Sequence, residues 1–452
     1  MAAQAAIDSV KVRMYRHGFG DCFLLSFFHG RKREFSILID CGIKHGTRSE
    51  EVPIEAVIDD LCETLATTPK GRPRIDVLVA THEHWDHVAY FHPQKFPDFF
   101  ARFEIGQVWL AWTEDPHDKE AVAINSRLRA GAAALQVAAA ALHEVAAEEE
   151  SRFAGHHFAV DVAQARKELN SSLADVVGFY GVAAKSKVSD SGIKYNPNGT
   201  VSVETEVAMR HVVELGEHGG GVRYFSPGTT VDRRLLPPGI NVYVLGPPRG
   251  KLINKSNPSA GKSKETYLRI DDTGLAGFVD GLLHLGARRH AGTAPDASAV
   301  APTGPFSPGV GLPAEKASQN AWMKETYYAP GEEYRQIDNC WLDAAGQFAL
   351  QLDGAINNTS LVLAVELAES GKVLLFPGDA QVGSWLSWHD LEWKVKRDGK
   401  TETVTAQDLL ANTVLYKVSH HGSHNATVKE KGLEMMTHPD LVAMIPEKEK
   451  SY

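Results

Sequence analysis

Two apolar runs near the start of the chain, Cys22–Phe28 and Phe35–Ile39, flank the polar break His29–Arg33, the pattern of a β-hairpin. Apolar residues then recur at helical spacing over Val52–Leu65, and after Pro73 the run Ile75–Ala80 is short enough for a buried strand. Val108–Trp112 reads as another strand. From His117 to about Ala184 the texture changes to Ala-rich, Glu-studded stretches such as Ala132–Glu149, whose propensity predicts a helical insertion, with Glu148–Glu150 at a solvated helix end. Alternating and apolar runs return after Tyr195–Gly199, giving strand candidates at Gly221–Phe225, Ile240–Leu245, Ser360–Glu366, Lys372–Phe376, Val414–Val418 and Leu441–Ile445. Between them, residues 286–315 are rich in Gly, Pro and Ala and nearly devoid of large apolar side chains, which predicts a long loop.

Composition narrows the class. At 452 residues, 43% hydrophobic and 23% charged, the chain matches soluble globular averages and needs no disulfide merely to fold. No apolar stretch approaches the roughly 18–20 residues that span a bilayer, which excludes an integral membrane function. The start, with no basic segment leading into an apolar core, does not read as a secretory signal. Four cysteines include no CxxC pair, so a cytoplasmic protein with reduced thiols is expected. A net charge of −10 argues against wrapping nucleic acid by bulk electrostatics, though not against a local phosphate site.

The densest chemistry is Thr81-His82-Glu83-His84-Trp85-Asp86-His87, directly after the Ile75–Ala80 run. In an extended turn His82 and His84 project to one side and can share an ion, while Asp86 and His87 come as the chain bends into a helix and can face a second. Glu83 and Trp85 alternate away, with Glu83 expected in solvent or behind the ligands. A chance surface cluster of histidines is the bland alternative; it rarely falls at a strand end in ligand spacing.

His82-x-His84-x-Asp86-His87, Phe376-Pro-Gly-Asp379 and Tyr416-Lys-Val-Ser-His420-His421-Gly-Ser423, in this order, resemble the metallo-β-lactamase superfamily. With Gly18-Phe-Gly-Asp21-Cys22, Leu38-Ile-Asp40-Cys-Gly42 and Asn357-Asn358-x-Ser360, the chain looks more narrowly like the soluble hydrolase domain of ComEC-type DNA-uptake proteins, over roughly residues 10–116 and 220–446. The resemblance implies an α/β fold, an αββα metallo-β-lactamase sandwich carrying the helical insertion and the long loop. Its first half would be residues 1–116, the insertion 117–220 and the second half 221–452, with a flexible loop at 286–335. It also implies two divalent ions, zinc or else manganese. His82 and His84 would bind the first; Asp86, His87 and one of the 420/421 pair, preferably His421, the second; Asp379 would bridge. Asp86, Asp379 and His420 would carry the chemistry, His420 meeting substrate or protonating a leaving group. Asp40 would support the ligand loop from behind, and Asp21, Asn357 and Ser423 are further supporting or substrate-contacting candidates. Against that family the chain ends early at Tyr452, and the sequence does not tell whether more follows.

One departure concerns the first ion. Where related chains carry a further histidine, Val244-Leu-Gly246-Pro-Pro248 places a glycine, which leaves the first site poorer in protein ligands or completed elsewhere; Glu114 and Asp115, after the Val108–Trp112 run, are candidates, although loop carboxylates are their commoner meaning. The run Arg249–Lys264, containing Lys251, Lys255 and Lys262 and no acid, could hold substrate phosphate, although a solvated basic loop is the commoner meaning. Ser256–Ser263 ends like a P-loop but lacks its first glycine. Three functions follow. First is a metal-dependent phosphodiesterase or nuclease in which metal-bound hydroxide attacks a phosphodiester or nucleic acid, with no membrane partner. Second is a small-molecule ester, lactone or amide hydrolase, and third a silent interaction module.

Overall fold

A computed structural model describes residues 6–66, 71–152, 173, 176–181, 194–195, 201–254, 314–329, 344–397 and 399–447. The protein is mixed α/β and is organised by two large sheets. The first has six strands in chain order: Ser9–Met14, Phe23–His29, Lys32–Ile39, Arg74–Val79, Glu104–Ala111 and Val222–Phe225. Its first three strands are antiparallel and the remainder parallel. The second has five, ordered Val442–Met444, Thr413–Lys417, Val373–Phe376, Val362–Leu367 and Ile240–Gly246. Among the described residues, no helix is long and apolar enough to cross a membrane.

The hairpin shows why the strands are apolar almost throughout. Phe23 opposes Ile39, Leu25 opposes Ile37 and Phe27 opposes Phe35. Period-2 alternation sends Phe23, Leu25 and Ile37 into one core with Val77, Val79 and Trp109, where they meet Val242, Val244, Leu363, Val365, Leu374 and Phe376 of the second sheet. Leu24, Leu38, Leu78 and Leu110 point the other way, onto helices Ile54–Leu65 and Glu204–His218. The second sheet's outer face, including Tyr243, Val362 and Leu375, is covered by Trp385 and Trp388 of helix Val382–Trp388 and by Leu409 and Leu410 of Ala406–Ala411. Both faces of both sheets are therefore buried, and the strands carry apolar residues at odd and even positions alike. Truncating any of these large side chains to Ala would cost about 2–5 kcal/mol.

Three expectations change in detail. Val222–Phe225 pairs with Glu104–Ala111, so the last strand of the first sheet lies beyond residue 220. The insertion contains the helix Lys119–Arg152, whose Leu135 and Val137 pack with Phe348, Leu352 and Ile356 of helix Ala344–Asn357. Within 286–335, expected as loop, the described residues 314–329 form the short helices Ala314–Ala317 and Ala321–Thr326; the rest lies outside the described residues.

Candidate metal centre

The ligand loop leaves the Arg74–Val79 strand in the middle of the first sheet and is gripped at once. Thr81 donates to Asp40 twice, from its backbone N–H at 2.7 Å and its hydroxyl at 2.7 Å. The Asp21 N–H donates to the Asp86 carbonyl and the Cys41 N–H to the His87 carbonyl, both at 2.9 Å. A Cβ at Gly20 or Gly42 would strike the backbone of Asp86, and at Gly42 also that of His87, so only glycine lets these segments close on the loop. Asp40, His420 and His421 have φ of 56°, 46° and 51° and are the non-glycine residues with positive φ among those described. Each such conformation costs about 1–3 kcal/mol, and all three fall at this centre.

Four side chains converge at the second position. Asp86 Oδ2 lies 3.1 Å from His421 Nε2, and Asp379 Oδ2 lies 3.2 Å from His87 Nε2 and 3.6 Å from His421 Nε2. One donor atom from each of the four falls within 4.8 Å of all the others, and every one of the residues is buried. The opposite atoms are already committed. His87 Nδ1 donates to Asp40 Oδ2 at 2.8 Å and His421 Nδ1 to the Pro446 carbonyl at 2.8 Å, which fixes both tautomers with Nε2 turned inward. The Lys417 ammonium takes Asp379 Oδ1 at 3.0 Å, leaving Oδ2 for the cluster. Asp86 Oδ1 and His87 Nε2 are buried with no hydrogen-bond partner, which is costly unless a cation is shared. Two imidazoles and two carboxylates suit zinc, and manganese is compatible with the carboxylates. The residues fit a divalent ion.

At the first position His82 Nε2 and His84 Nδ1 are 3.1 Å apart. Two nitrogens bonded to one tetrahedral zinc at roughly 2.0–2.1 Å stand about 3.4 Å apart, so the pair is close to ligand spacing. Gly246 offers nothing here: a Cβ on it would meet Ser384 Oγ and Val362. The carboxylate that does come near is Asp353, with Oδ1 3.8 Å from His84 Nε2. It was missed in the sequence because it sits in an ordinary-looking apolar helix, and only its i,i+4 relation to Asn357 could have hinted at it. Asn357 Nδ2 donates to Asp353 Oδ2 at 3.0 Å and lies 3.3 Å from His420 Nε2.

The charges are unbalanced without metal. Asp21, Asp40, Asp86, Asp379 and Lys417 are all buried here, none more than 2% exposed, and the Lys417 ammonium meets Asp21 Oδ2 at 2.6 Å and Asp379 Oδ1 at 3.0 Å. Four carboxylates against one ammonium leave a net −3 once His87 and His421 are in the neutral form that binds metal, and two divalent ions with one hydroxide would neutralise it. Burial opposes charge on His87, but Asp379, Asp21, Asp86 and Asp40 outweigh it and raise its pKa well above the usual imidazole range. His421 is raised too, against burial, by Asp379 and Asp86. Burial dominates for His82, lowered well below its ordinary value, and for His84, lowered to about 4. Burial beside Asp86 and Asp379 pushes Asp353 up to about 7.

The remaining expected residues are dispersed. His420 is partly exposed between Asn357 and Gln381, whose Nε2 lies 3.4 Å from His420 Nδ1. Ser423 donates to Asn425 at 3.0 Å. Glu83 is not in solvent: it is buried and forked to Arg129 Nε and Nη2 at 3.0 and 2.8 Å, which ties the insertion to the ligand loop. Glu114 also turns to Arg129, at 3.8 Å, and Asp115 accepts from the His117 N–H, so the structure brings neither to the donors above. Arg249 pairs with Asp118 at 2.8 Å and Glu120 at 3.2 Å and stacks on Trp112, so the basic run begins neutralised. Lys251 is exposed; Lys255, Lys262 and the whole P-loop-like stretch lie outside the described residues. At the rim, the half-buried Phe19 ring packs 4.3 Å from the His421 ring and Phe179 5.6 Å from that of His84. No protein-family profile matches the chain, and comparison with curated proteins and with solved structures finds no similar protein.

Proposed function

We propose that the two-sheet arrangement is the αββα sandwich of the metallo-β-lactamase superfamily and that the protein is a metal-dependent hydrolase, a phosphodiesterase or nuclease. The observation that carries this reading is the buried quartet Asp86, His87, Asp379 and His421, each imidazole held by a fixed acceptor on its far nitrogen. Divalent ions held there would supply a water of lowered pKa and Lewis acidity toward a phosphoryl or carbonyl oxygen. The protein's own residues do the rest. Asp40 and Pro446 orient imidazoles, Lys417 holds Asp379 to one free oxygen, and Phe19 and Phe179 wall the mouth against water. His420, with its pKa lowered by burial, is placed at the open edge to hydrogen-bond substrate or hand a proton to a leaving group. The second reading, an ester, lactone or amide hydrolase, is favoured by Arg249, whose charge is spent on Asp118 and Glu120 instead of waiting for a phosphate.

Elemental analysis of the purified protein, followed by chelation and metal add-back, tests the centre. Assays on plasmid DNA, bis(p-nitrophenyl) phosphate, p-nitrophenyl acetate and a simple lactone separate the two chemistries. The expected outcome is bound zinc or manganese and chelator-sensitive cleavage of the phosphodiesters. Cleavage of ester and lactone alone would transfer the assignment to the second reading, and a metal-free, chelator-indifferent protein would end both. His421→Ala should lose an ion, whereas His420→Ala should keep its metal and slow turnover about 10²–10⁴-fold, most on poor leaving groups.

A further inference from the structure

We infer that Asp353 is the positioning carboxylate of the first metal position: it accepts the Nε2–H of His84 and thereby leaves Nδ1 as a lone pair aimed at the ion. The inference rests on the metal-centre reading above and follows from where each proton must sit.

The Thr81 hydroxyl has one hydrogen, and Asp40 Oδ2, a carboxylate at 2.7 Å, takes it. Thr81 Oγ1 can then only accept from His82 Nδ1, 3.1 Å away. His82 Nδ1 therefore carries the proton, and its Nε2 is a lone pair directed at His84 Nδ1, 3.1 Å off. Whether that contact is an imidazole–imidazole hydrogen bond or a pair of metal donors depends on which nitrogen of His84 is protonated. His87 and His421 have this decided by Asp40 and Pro446 at 2.8 Å each. His84 Nε2, in a side chain 1% exposed, has no hydrogen-bond partner, and the carboxylate facing it is Asp353, 3.8 Å away. Asp353 is itself aimed, because Asn357 Nδ2 holds its other oxygen at 3.0 Å. An approach of about 1 Å would make the hydrogen bond at ordinary N–H···O length. Asp353 is not placed as a ligand beside His84 Nδ1, since it faces the opposite end of the ring. It is the counterpart of Asp40, supplied by the helix packed against the insertion, at a position where Gly246 contributes no imidazole.

The test uses the full chain and the variants Asp353→Asn, Asp353→Ala and Asp353→Glu, with Zn²⁺ and Co²⁺ as probes. Chelator-competition titration should find two ions in the wild type. One of them should be weakened about 10–100-fold in the Asn and Ala variants, the other unchanged, with partial recovery in Glu. Nitrogen-15 imidazole NMR of the zinc-loaded wild type should place the His84 proton on Nε2, and the Co²⁺ absorption of one site should change in Asp353→Asn, a near-isosteric substitution that keeps the fold. Unchanged affinity and spectra in both Asn and Ala, or a His84 proton on Nδ1, overturns the inference. A wild type that binds one ion indifferently to Asp353 also overturns it while leaving the hydrolase reading standing; a wild type that binds none removes both.

Discussion

The two candidate metal positions are built on opposite plans. The second gathers Asp86, His87, Asp379 and His421 from three strand ends far apart in the chain, with the far atoms of both histidines and Asp379 held by Asp40, Pro446 and Lys417. The first takes its two histidines from alternate positions of one loop, and its outer partner, Asp353, is partly exposed and 3.8 Å away. The electrostatics divide the same way: carboxylates raise the pKa of His87 and His421, while burial lowers that of His82 and His84. A position made of many fixed partners would bind an ion strongly but would first have to release protons. One made of two neutral imidazoles would be ready at neutral pH and would hold an ion weakly.

The strongest way to break this comparison is to remove a carboxylate. Asp86→Ala and Asp379→Ala should each empty the second position and reduce hydrolysis at least about 10³-fold, read by elemental analysis and turnover; Asp379→Ala should also leave Lys417 facing Asp21 alone. If the second position retained its ion in both, its four-donor reading would fail. A pH series sharpens the contrast next. Metal must displace the protons that raised pKa values keep on His87 and His421, so affinity there falls as pH falls. The loss should reach about tenfold per pH unit for each proton displaced. The first position, with His84 at about 4, should vary little between pH 6 and 8. Calorimetry in buffers of different ionisation enthalpy counts the protons, and equal slopes at both positions would contradict the division.

The smallest effect concerns what stands behind the first position. Glu83, between His82 and His84, shares Arg129 with Glu114 and Glu206, and burial plus Glu83 raise the Glu114 pKa to about 7 from an ordinary 4.5. Between those values the unfolded chain has released the proton and the folded one retains it. Folding stability therefore falls as pH rises through this window, by about 1–3 kcal/mol. Glu114→Gln should abolish that dependence and be the more stable protein at pH 8, as measured by denaturant titration at pH 5 and 8. A slope that persisted in the variant would show that another group titrates there.

Most of the strands could be placed from the sequence, because burial on both faces makes them short apolar runs that end at Gly, Pro and charged residues. The strand Ser9–Met14 escaped: its alternating Val and charged residues are half-exposed at the sheet edge, which weakens the signal. The donor types could be named as well. His82, His84, Asp86 and His87 follow one another in a spacing with metal chemistry, and Asp379 and His421 belong to the ordered motifs around them. For Glu83 alternation predicts only that it points away from its neighbours, which left solvent and a place behind the ligands both open, and the Arg129 that receives it there lies 46 residues further on.

The sequence by itself determined most of the strands and the candidate donor residues, since both are recorded in local periodicity and in residue type. Only the tertiary structure decided which atoms of those donors are free. That Lys417 occupies one oxygen of Asp379, that Pro446 fixes His421, and that Asp353 rather than a residue near position 246 stands beside His84 depend on contacts between segments that are not neighbours in the chain. A hydrogen bond is directional and reaches about 3 Å, so it exists only once packing of the two sheets and their helices has set the partners in place. A lone Asp in an apolar helix carries no mark of that in one dimension.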